Sequence, residues 1–294
     1  MNSRHPEDNK LIGMKFNLPT EPEFNKAVLG RGDGTFDFRL GTSKWKQKEW
    51  LGQIYPGGTK EVSFLDEYIK RFNYVELHST FYGQPKPEQL RIWKEKAEGR
   101  DFLFNVKMSQ AISHIKKFAN CQTELEAFFA AASELKLTVG SIWIQVPQNF
   151  RLQQLSFLLA WLDSLPTSYR YFLEFRNPDV FSNMEVFCAL QGKLSAKGIG
   201  LIICDNPDTP ELLHTALSIP EVMIRFSGIS EDASQISRLN AWAQRISDWK
   251  GQGLEKVYFC YDQENQKNFA QDFRLVEDIF RTAGLHRGCQ RLSV

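Results

Sequence analysis

A chain of 294 residues is long enough to bury a sizeable core, as one large domain or two modest ones. Lys and Arg number 36 against 35 Asp and Glu, a formal charge of +1, and 42% of residues are hydrophobic; this is a globular composition, neither disordered nor fibrous. A charge so near zero provides no whole-molecule field for nucleic acid or anionic membrane, so an anionic partner has to be held by a local cluster.

The cysteines, Cys121, Cys188, Cys204, Cys260 and Cys289, include no C-x-x-C pair, which weighs against a disulfide framework and a structural zinc site. MNSRHPEDNK at the start has no apolar core, and no run of about 18 apolar residues occurs. The expectation is a cytoplasmic protein with no membrane partner.

In chain order, residues 1–35 carry Pro6, Pro19, Pro22 and the run Gly30-Arg31-Gly32-Asp33-Gly34, and read as a loosely structured N-terminal arm. From 36 to 294 short β-rich runs alternate with stretches of helical period, the pattern of βα units around a parallel sheet. The predicted strands are FDFRLG ending at Gly41, YVELHS after Asn73, FLFNVK after Asp101 and SIWIQV after Gly140. YFLEF after Arg170, IGLIIC after Gly198, VMIRFS after Glu221 and VYFCY after Lys256 complete the set.

Helices are expected over Lys60 to Phe72, Pro87 to Glu98, Thr123 to Leu135, Leu152 to Leu162, Met184 to Lys197, Ala233 to Trp249 and Asn265 to Thr282. In the first, Val62, Leu65, Ile69 and Phe72 form one apolar stripe. Pro207 and Pro210 leave room only for a brief helix at Glu211 to Leu217. Eight strands and eight helical links over about 250 residues predict a single α/β domain closed as a (βα)8 barrel. The absence of G-x-G-x-x-G after the first strand weighs against an open dinucleotide-binding sheet.

Sites in such barrels lie at the C-terminal strand ends, so polar residues late in apolar strands are the candidates. Glu76 and His78 end strand two, Asn105 and Lys107 strand three, Gln145 strand four, Glu174 and Arg176 strand five, and Arg225 strand seven; Asp205 follows strand six. The cations and carboxylates either neutralise one another as a plug of buried ion pairs, or form a polar pocket in which carboxylates act as acid or base and cations hold an anion. Desolvation cancels much of the gain from burying charge for stability alone, which favours the pocket.

His114, in the loop from Ser109 to Lys117, reads as a proton donor or phosphate contact, or else as a solvated loop histidine. His78 reads as structural. A metal on Glu76, Glu174 and Asp205 is disfavoured by the neighbouring cations, so neither metal nor cofactor is expected. Trp45, Trp50 and Tyr55 after strand one, Phe81 and Tyr82 after strand two and Tyr261 ending strand eight offer aromatic faces for a sugar or a base, with Trp50 better suited to covering the barrel end.

These residues also carry a resemblance. Gly41-Thr42-Ser43-Lys44-Trp45, Tyr55-Pro56, Arg71-Phe72-Asn73-Tyr74-Val75-Glu76-Leu77-His78-Ser79-Thr80-Phe81-Tyr82, Phe104-Asn105-Val106-Lys107 and Ile112-Ser113-His114 occur in order. Gln145-Val146-Pro147, Glu174-Phe175-Arg176-Asn177-Pro178 and Asp205-Asn206-Pro207 follow. From Leu40 to Phe273 the chain resembles the YecE-like family, domain of unknown function seventy-two. The resemblance implies a TIM barrel, near in fold to sugar isomerase and endonuclease IV type barrels, and names no reaction.

It also implies recurrent polar positions at Glu76, Ser79, Tyr82, Lys107, His114, Gln145, Glu174, Arg176, Asp205 and Arg225. Two departures stand out. Arg225-Phe226-Ser227-Gly228 has Ser where the family pattern favours His, and Tyr261-Asp262-Gln263-Glu264-Asn265 is more acidic than the family's strand-eight ending.

The expected function is binding of a small polar anion, such as a phosphorylated sugar or nucleotide fragment, with metal-independent acid and base chemistry. Glu76, Lys107, His114, Glu174 and Asp205 are the expected catalytic residues. Ser43, Trp45, Ser79, Tyr82, Gln145, Arg176, Arg225 and Tyr261 are the expected binding residues. A competing reading is a nucleic-acid partner, with Lys44, Lys46, Lys48, Lys116 and Lys117 on phosphates and Trp45 or Tyr82 stacking a base. A third, prompted by Ser227, is a scaffold whose site is vestigial.

Overall fold

A computed structural model describes residues 17–286 except 84 and 230–232, so most of the first half of the predicted arm, and Cys289, lie outside the described residues. Helix α1 (Phe24–Leu29) precedes β1 (Asp37–Thr42); then follow α2 (Phe64–Arg71), β2 (Tyr74–Leu77), α3 (Ser79–Tyr82), α4 (Pro87–Ala97) and β3 (Leu103–Lys107). A π-helical turn at Ala111–Ile115 leads to α5 (Gln122–Ser133), β4 (Val139–Val146), α6 (Leu155–Asp163) and β5 (Tyr171–Phe175). The remainder is α7 (Asp179–Ser182), α8 (Met184–Ala196), β6 (Gly200–Asp205), β7 (Glu221–Gly228), α9 (Ala233–Gln252), β8 (Lys256–Gln263) and α10 (Phe269–Thr282). The strands pair in parallel in chain order and β8 closes on β1, giving a single (βα)8 barrel. Among the described residues no helix is long and apolar enough to cross a membrane.

Helix α2 shows why these segments fold as they do. Leu65, Tyr68 and Ile69 are buried on one face, Asp66 and Glu67 sit in the first turn and Lys70 and Arg71 in the last, matching the helix dipole at both ends. Val62, expected on the same stripe, is 76% exposed because a 3₁₀ turn at Glu61–Ser63 precedes the helix and rotates it away from the core.

Along each strand alternate side chains face opposite ways. One set packs under the helices, including Val75, Val106, Ile144, Leu173, Ile203, Ile224 and Phe259. The other fills the barrel interior, where Tyr74, Trp143, Phe172, Ile202, Met223 and Tyr258 form a separate cluster.

The β1–β2 seam is short, pairing only Gly41 with Tyr74 and Thr42 with Val75. Side chains extend it. Asn73 Oδ1 accepts from the Leu40 amide at 2.8 Å and its Nδ2 donates to the Phe38 carbonyl at 3.0 Å. The Tyr68 hydroxyl accepts from the Thr42 amide at 2.9 Å and donates to the Tyr74 carbonyl at 3.0 Å. Gly41 lies so close to β2 that a Cβ there would come within 2.1 Å of the Tyr74 carbonyl oxygen.

The sixth link differs from expectation. A 3₁₀ turn at Pro210–Leu212 is followed by chain without a helix, because the Thr215 carbonyl and the Leu217 amide and carbonyl bond to side chains instead of within a helical turn. Helix α1 packs there instead. Buried Asn25 donates to the Thr215 carbonyl at 2.8 Å and accepts from the Leu217 amide at 2.9 Å and from Gln191 of α8 at 3.0 Å. Trp249 of α9 donates to Glu21 at 2.9 Å. The part of the arm from Glu21 to Leu29 is therefore docked between α8 and α9, not loose. His214, expected on a short helix, is buried on this link, stacked on Phe181 with ring centroids 5.0 Å apart.

Candidate functional site

Strand register brings the inward side chains at the C-terminal ends together. Lys107 lies beside Trp143, Gln145 beside Glu174, and Arg225 between Cys204 and Cys260. Arg225 is the hub. Its Nε donates to Glu76 Oε2 at 3.1 Å and Oε1 at 3.3 Å, and its Nη1 lies 3.5 Å from Glu174 Oε2. The guanidinium carbon stands 4.2 Å over the Trp143 ring. Glu76 also meets His78 Nε2 at 3.0 Å, and Glu174 Oε1 accepts from Arg176 Nε and, at 3.1 Å, from Gln145. Cys204 Sγ donates to the same oxygen at 3.4 Å.

Burial alone would raise the carboxyl pKa values, but here the cations prevail. Arg225, Arg176 and Lys107 hold Glu174 down at about 2, and Arg225 and His78 hold Glu76 below its ordinary value. Both carboxylates are ionised and act as counterions. Burial also pushes the Cys204 thiol up, so that sulfur stays protonated beside Glu174.

Lys107 is held differently. Its ammonium donates to Gln145 Oε1 at 3.2 Å and lies 4.0 Å from the Phe81 ring centroid and 4.4 Å from that of Trp143. Burial, opposed by Glu174 and assisted by Arg225, brings its pKa down to about 8. Thr80 Oγ1 donates to the Lys107 carbonyl at 2.7 Å, fastening the α3 turn, and so Phe81, to the end of β3.

His114 rides on the π-helical turn after β3 and packs edge-on against the other neighbour of Lys107, Phe81, at 5.0 Å. Its Nδ1 is held by Ser113 Oγ at 2.8 Å, and burial and the Lys107 charge keep its pKa low. Lys117, Phe118 and Asn120 follow with positive φ, a concentration of left-handed backbone next to the mouth.

Among the other expected binding residues, Ser79 and Tyr82 are exposed on α3, Tyr82 at 74%. Ser43 Oγ donates to Asp262 Oδ2 at 2.6 Å on the β1 and β8 side of the rim.

Three expected residues do not join the mouth. Asp205 lies on the outward phase of β6, where it binds Arg238 of α9 at 2.6 Å and accepts from Trp242 Nε1 at 2.7 Å. Tyr261 is likewise outward on β8, fully buried between Phe226 and the α10 residues Phe269 and Phe273. Trp45 is buried edge-on against Trp93 at 5.0 Å, and its carbonyl accepts from the buried Tyr55 hydroxyl. Trp50, stacked on Phe269 at 4.5 Å and on Tyr68 at 6.3 Å, is buried in the layer under α2 and α10. With Asp205 facing away, Glu76, Glu174 and Asp205 do not converge as a metal-binding set.

The basic run of the nucleic-acid reading is spread over local carboxylates. Lys44 lies 4.0 Å from Asp262, Lys46 3.9 Å from Glu61 and Lys116 2.9 Å from Glu124. A groove of about 730 Å³ between α6 and α8 opens beside the strand starts, at the end away from this cluster, and is crossed by the Lys197–Asp163 pair.

Trp143, Cys204 and Cys260 belong to the site or its wall without having been singled out there, whereas Phe81, named as an aromatic face after strand two, stands against Lys107. Trp143 was open to discovery, standing two residues before Gln145 and hence on the same face.

The model of the family described as "Protein of unknown function DUF72" matches residues 39–287. The chain belongs to the DUF72 family. It is 29% identical over 231 residues to UPF0759 protein YecE of Escherichia coli, a match covering 71% of this chain and 81% of the relative. A crystal structure of a DUF72 family protein from Thermotoga maritima superposes with a TM-score of 0.64 at 21% identity, covering 84% of this chain and 99% of that one. One from Enterococcus faecalis gives 0.66 at 16% identity over 84% and 99%. These two likenesses show the barrel fold.

Several family-motif residues of this DUF72 chain serve the backbone. Asn73 extends the β1–β2 seam, Asn177 donates to the Phe150 carbonyl at 2.6 Å, and Asn206 closes a turn on the Asp208 amide at 3.0 Å. Ser227 pairs in register with Asp262, and its carbonyl accepts from Arg238 at 3.1 Å.

Proposed function

We propose that the C-terminal mouth of this DUF72 barrel binds a small polar anion of the class of a phosphorylated sugar or nucleotide fragment. The supporting observation is an imbalance of charge. Three cations, Lys107, Arg176 and Arg225, face only two carboxylates, Glu76 and Glu174, among the described residues; the two arginines pair with them directly and Lys107 reaches Glu174 only through Gln145. The Arg176 side chain keeps 34% of its surface exposed, with guanidinium donors beyond the Nε that Glu174 takes. An anion seated there completes the neutralisation of a cluster already removed from water, where a charge-assisted hydrogen bond is stronger than at a free surface.

In this reading Glu174 is a counterion rather than a base, since its proton affinity is too low for abstraction near neutral pH. Proton transfer falls to His114.

The test is a thermal-shift screen of phosphorylated sugars, nucleotides and short single-stranded DNA. A ligand at about 100 times its dissociation constant adds roughly 2.7 kcal/mol. Stabilisation by a small anion, abolished in Arg176→Ala, is the expected result. If no anion stabilises the protein, or if Arg176→Ala responds as the wild type does, the proposal fails.

A further inference from the structure

We infer that Lys107 is a nucleophile, whose side-chain amine forms an imine with a small anionic aldehyde or ketone bound in the mouth. The inference rests on the anion-binding reading for the choice of substrate class. Its own ground is the setting of the amine.

A buried lysine with a structural role is ordinarily paired with a carboxylate, because an unpaired ammonium loses its hydration without recompense. Lys107 is 6% exposed, and among the described residues its ammonium pairs with no carboxylate. One neutral acceptor, Gln145 Oε1, takes one of its three protons, and two aromatic faces, Phe81 and Trp143, cover much of the rest. The two nearby carboxylates are occupied by Arg225 and Arg176. Burial and the adjacent guanidinium groups favour the neutral amine, the form that attacks carbonyl carbon, and outweigh the attraction of the two ring faces for the cation. With a pKa of about 8, about a tenth of the amine is unprotonated at pH 7.

The surroundings supply the remaining parts. Gln145 Nε2 is anchored on Glu174, so its carbonyl oxygen is presented to Lys107 Nζ. His114 packs against the same Phe81 ring with its Nδ1 engaged by Ser113, which leaves Nε2 for proton transfer.

In the reaction the Nζ lone pair forms a bond to the carbonyl carbon as the π pair moves to oxygen. That oxygen takes a proton and Nζ loses one, giving a carbinolamine. The hydroxyl then takes a second proton and leaves as water, the nitrogen lone pair forming the C=N bond. Amine, carbonyl and one proton give a protonated imine and one water, with no oxidant or reductant.

The experiment uses the wild-type full chain with glycolaldehyde phosphate or neutral glycolaldehyde, in the presence of sodium cyanoborohydride, which reduces the imine to a stable secondary amine. Peptide mass mapping reads the labelling rate of each lysine. The expected result at pH 7 is Lys107 labelled by the phosphorylated probe at least about tenfold faster than exposed Lys48, slowed by excess inorganic phosphate. Its rate should rise through about pH 8, where an ordinary lysine responds near 10.4. Labelling of Lys107 no faster than Lys48 with either probe overturns the nucleophile and leaves a cation wedged between two rings. In that event stabilisation by inorganic phosphate decides the anion reading separately. Equal labelling of Lys107 by both probes, with no competition from phosphate, supports the nucleophile and overturns the anionic substrate class.

Discussion

Replacing Arg225 by Met tests the electrostatic construction of the mouth, because the thioether fills much of the volume while removing the charge. The guanidinium serves both Glu76 and Glu174, which are 1% and 0% exposed. Glu174 lies at about 2 against an ordinary 4.5, a depression worth about 3 kcal/mol of preferential stabilisation of the ionised form, shared among Arg225, Arg176 and Lys107. Breaking a buried pair by removing one partner costs about 3–5 kcal/mol, so the expected loss in Arg225→Met at pH 7 is about 3 kcal/mol or more. The pH dependence has a definite sign. A carboxylate whose pKa is depressed by folding contributes stability that is fully present above its unfolded value and is lost as pH falls through the folded value. The gap between wild type and Arg225→Met is therefore full at pH 7 and narrows between about pH 4.5 and 2. Urea unfolding at pH 7 and pH 3 measures it, and adding Glu76→Gln to the variant should recover part of the loss. A loss below about 1 kcal/mol, or one equal at both pH values, would refute the buried ion-pair account.

Gly41→Ala should destabilise the barrel at or above the upper end of the usual overpacking range, about 1–3 kcal/mol, because the new methyl meets the Tyr74 carbonyl rather than a movable side chain; urea unfolding checks it. Asp205→Asn should cost about 3–5 kcal/mol by removing the carboxylate charge that faces buried Arg238, yet leave anion affinity unchanged wherever the protein is folded; a selective loss of affinity would return Asp205 to the mouth. His214, pushed down to about 4 by burial, binds its proton in the unfolded chain before the folded one. Stability should thus fall as pH drops from about 6.5 to 4, by about 3 kcal/mol in total for this group, and His214→Phe should flatten that slope in unfolding measured across the interval.

The strands were legible because each is an apolar run opened by a turn or polar residue, such as Asn73 before YVEL or Arg170 before YFLEF. Helix α1 was not. Six residues give little periodicity, and what fixes them is one buried asparagine whose partners lie 190 and 192 residues away. Within the site, chain position alone ranked Asp205 and Tyr261 with Glu174 and Arg225, although strand phase separates them. Glu76, Gln145, Glu174 and Arg225 each stand two residues after an interior side chain, namely Tyr74, Trp143, Phe172 and Met223. Asp205 and Tyr261 stand two after Ile203 and Phe259, which belong to the layer under the helices. In IGLIIC and VYFCY every position is apolar or aromatic on both faces, as expected of a parallel strand covered on both sides, so composition cannot set the phase. Register sets it. Arg225 aligns with Cys204 and Cys260, and one further residue along either neighbouring strand points out of the barrel. A polar residue at a strand end therefore reaches the mouth only when its phase agrees with that of a neighbouring strand, and the thiols of Cys204 and Cys260, unremarkable in the sequence, occupy the places first assigned to Asp205 and Tyr261.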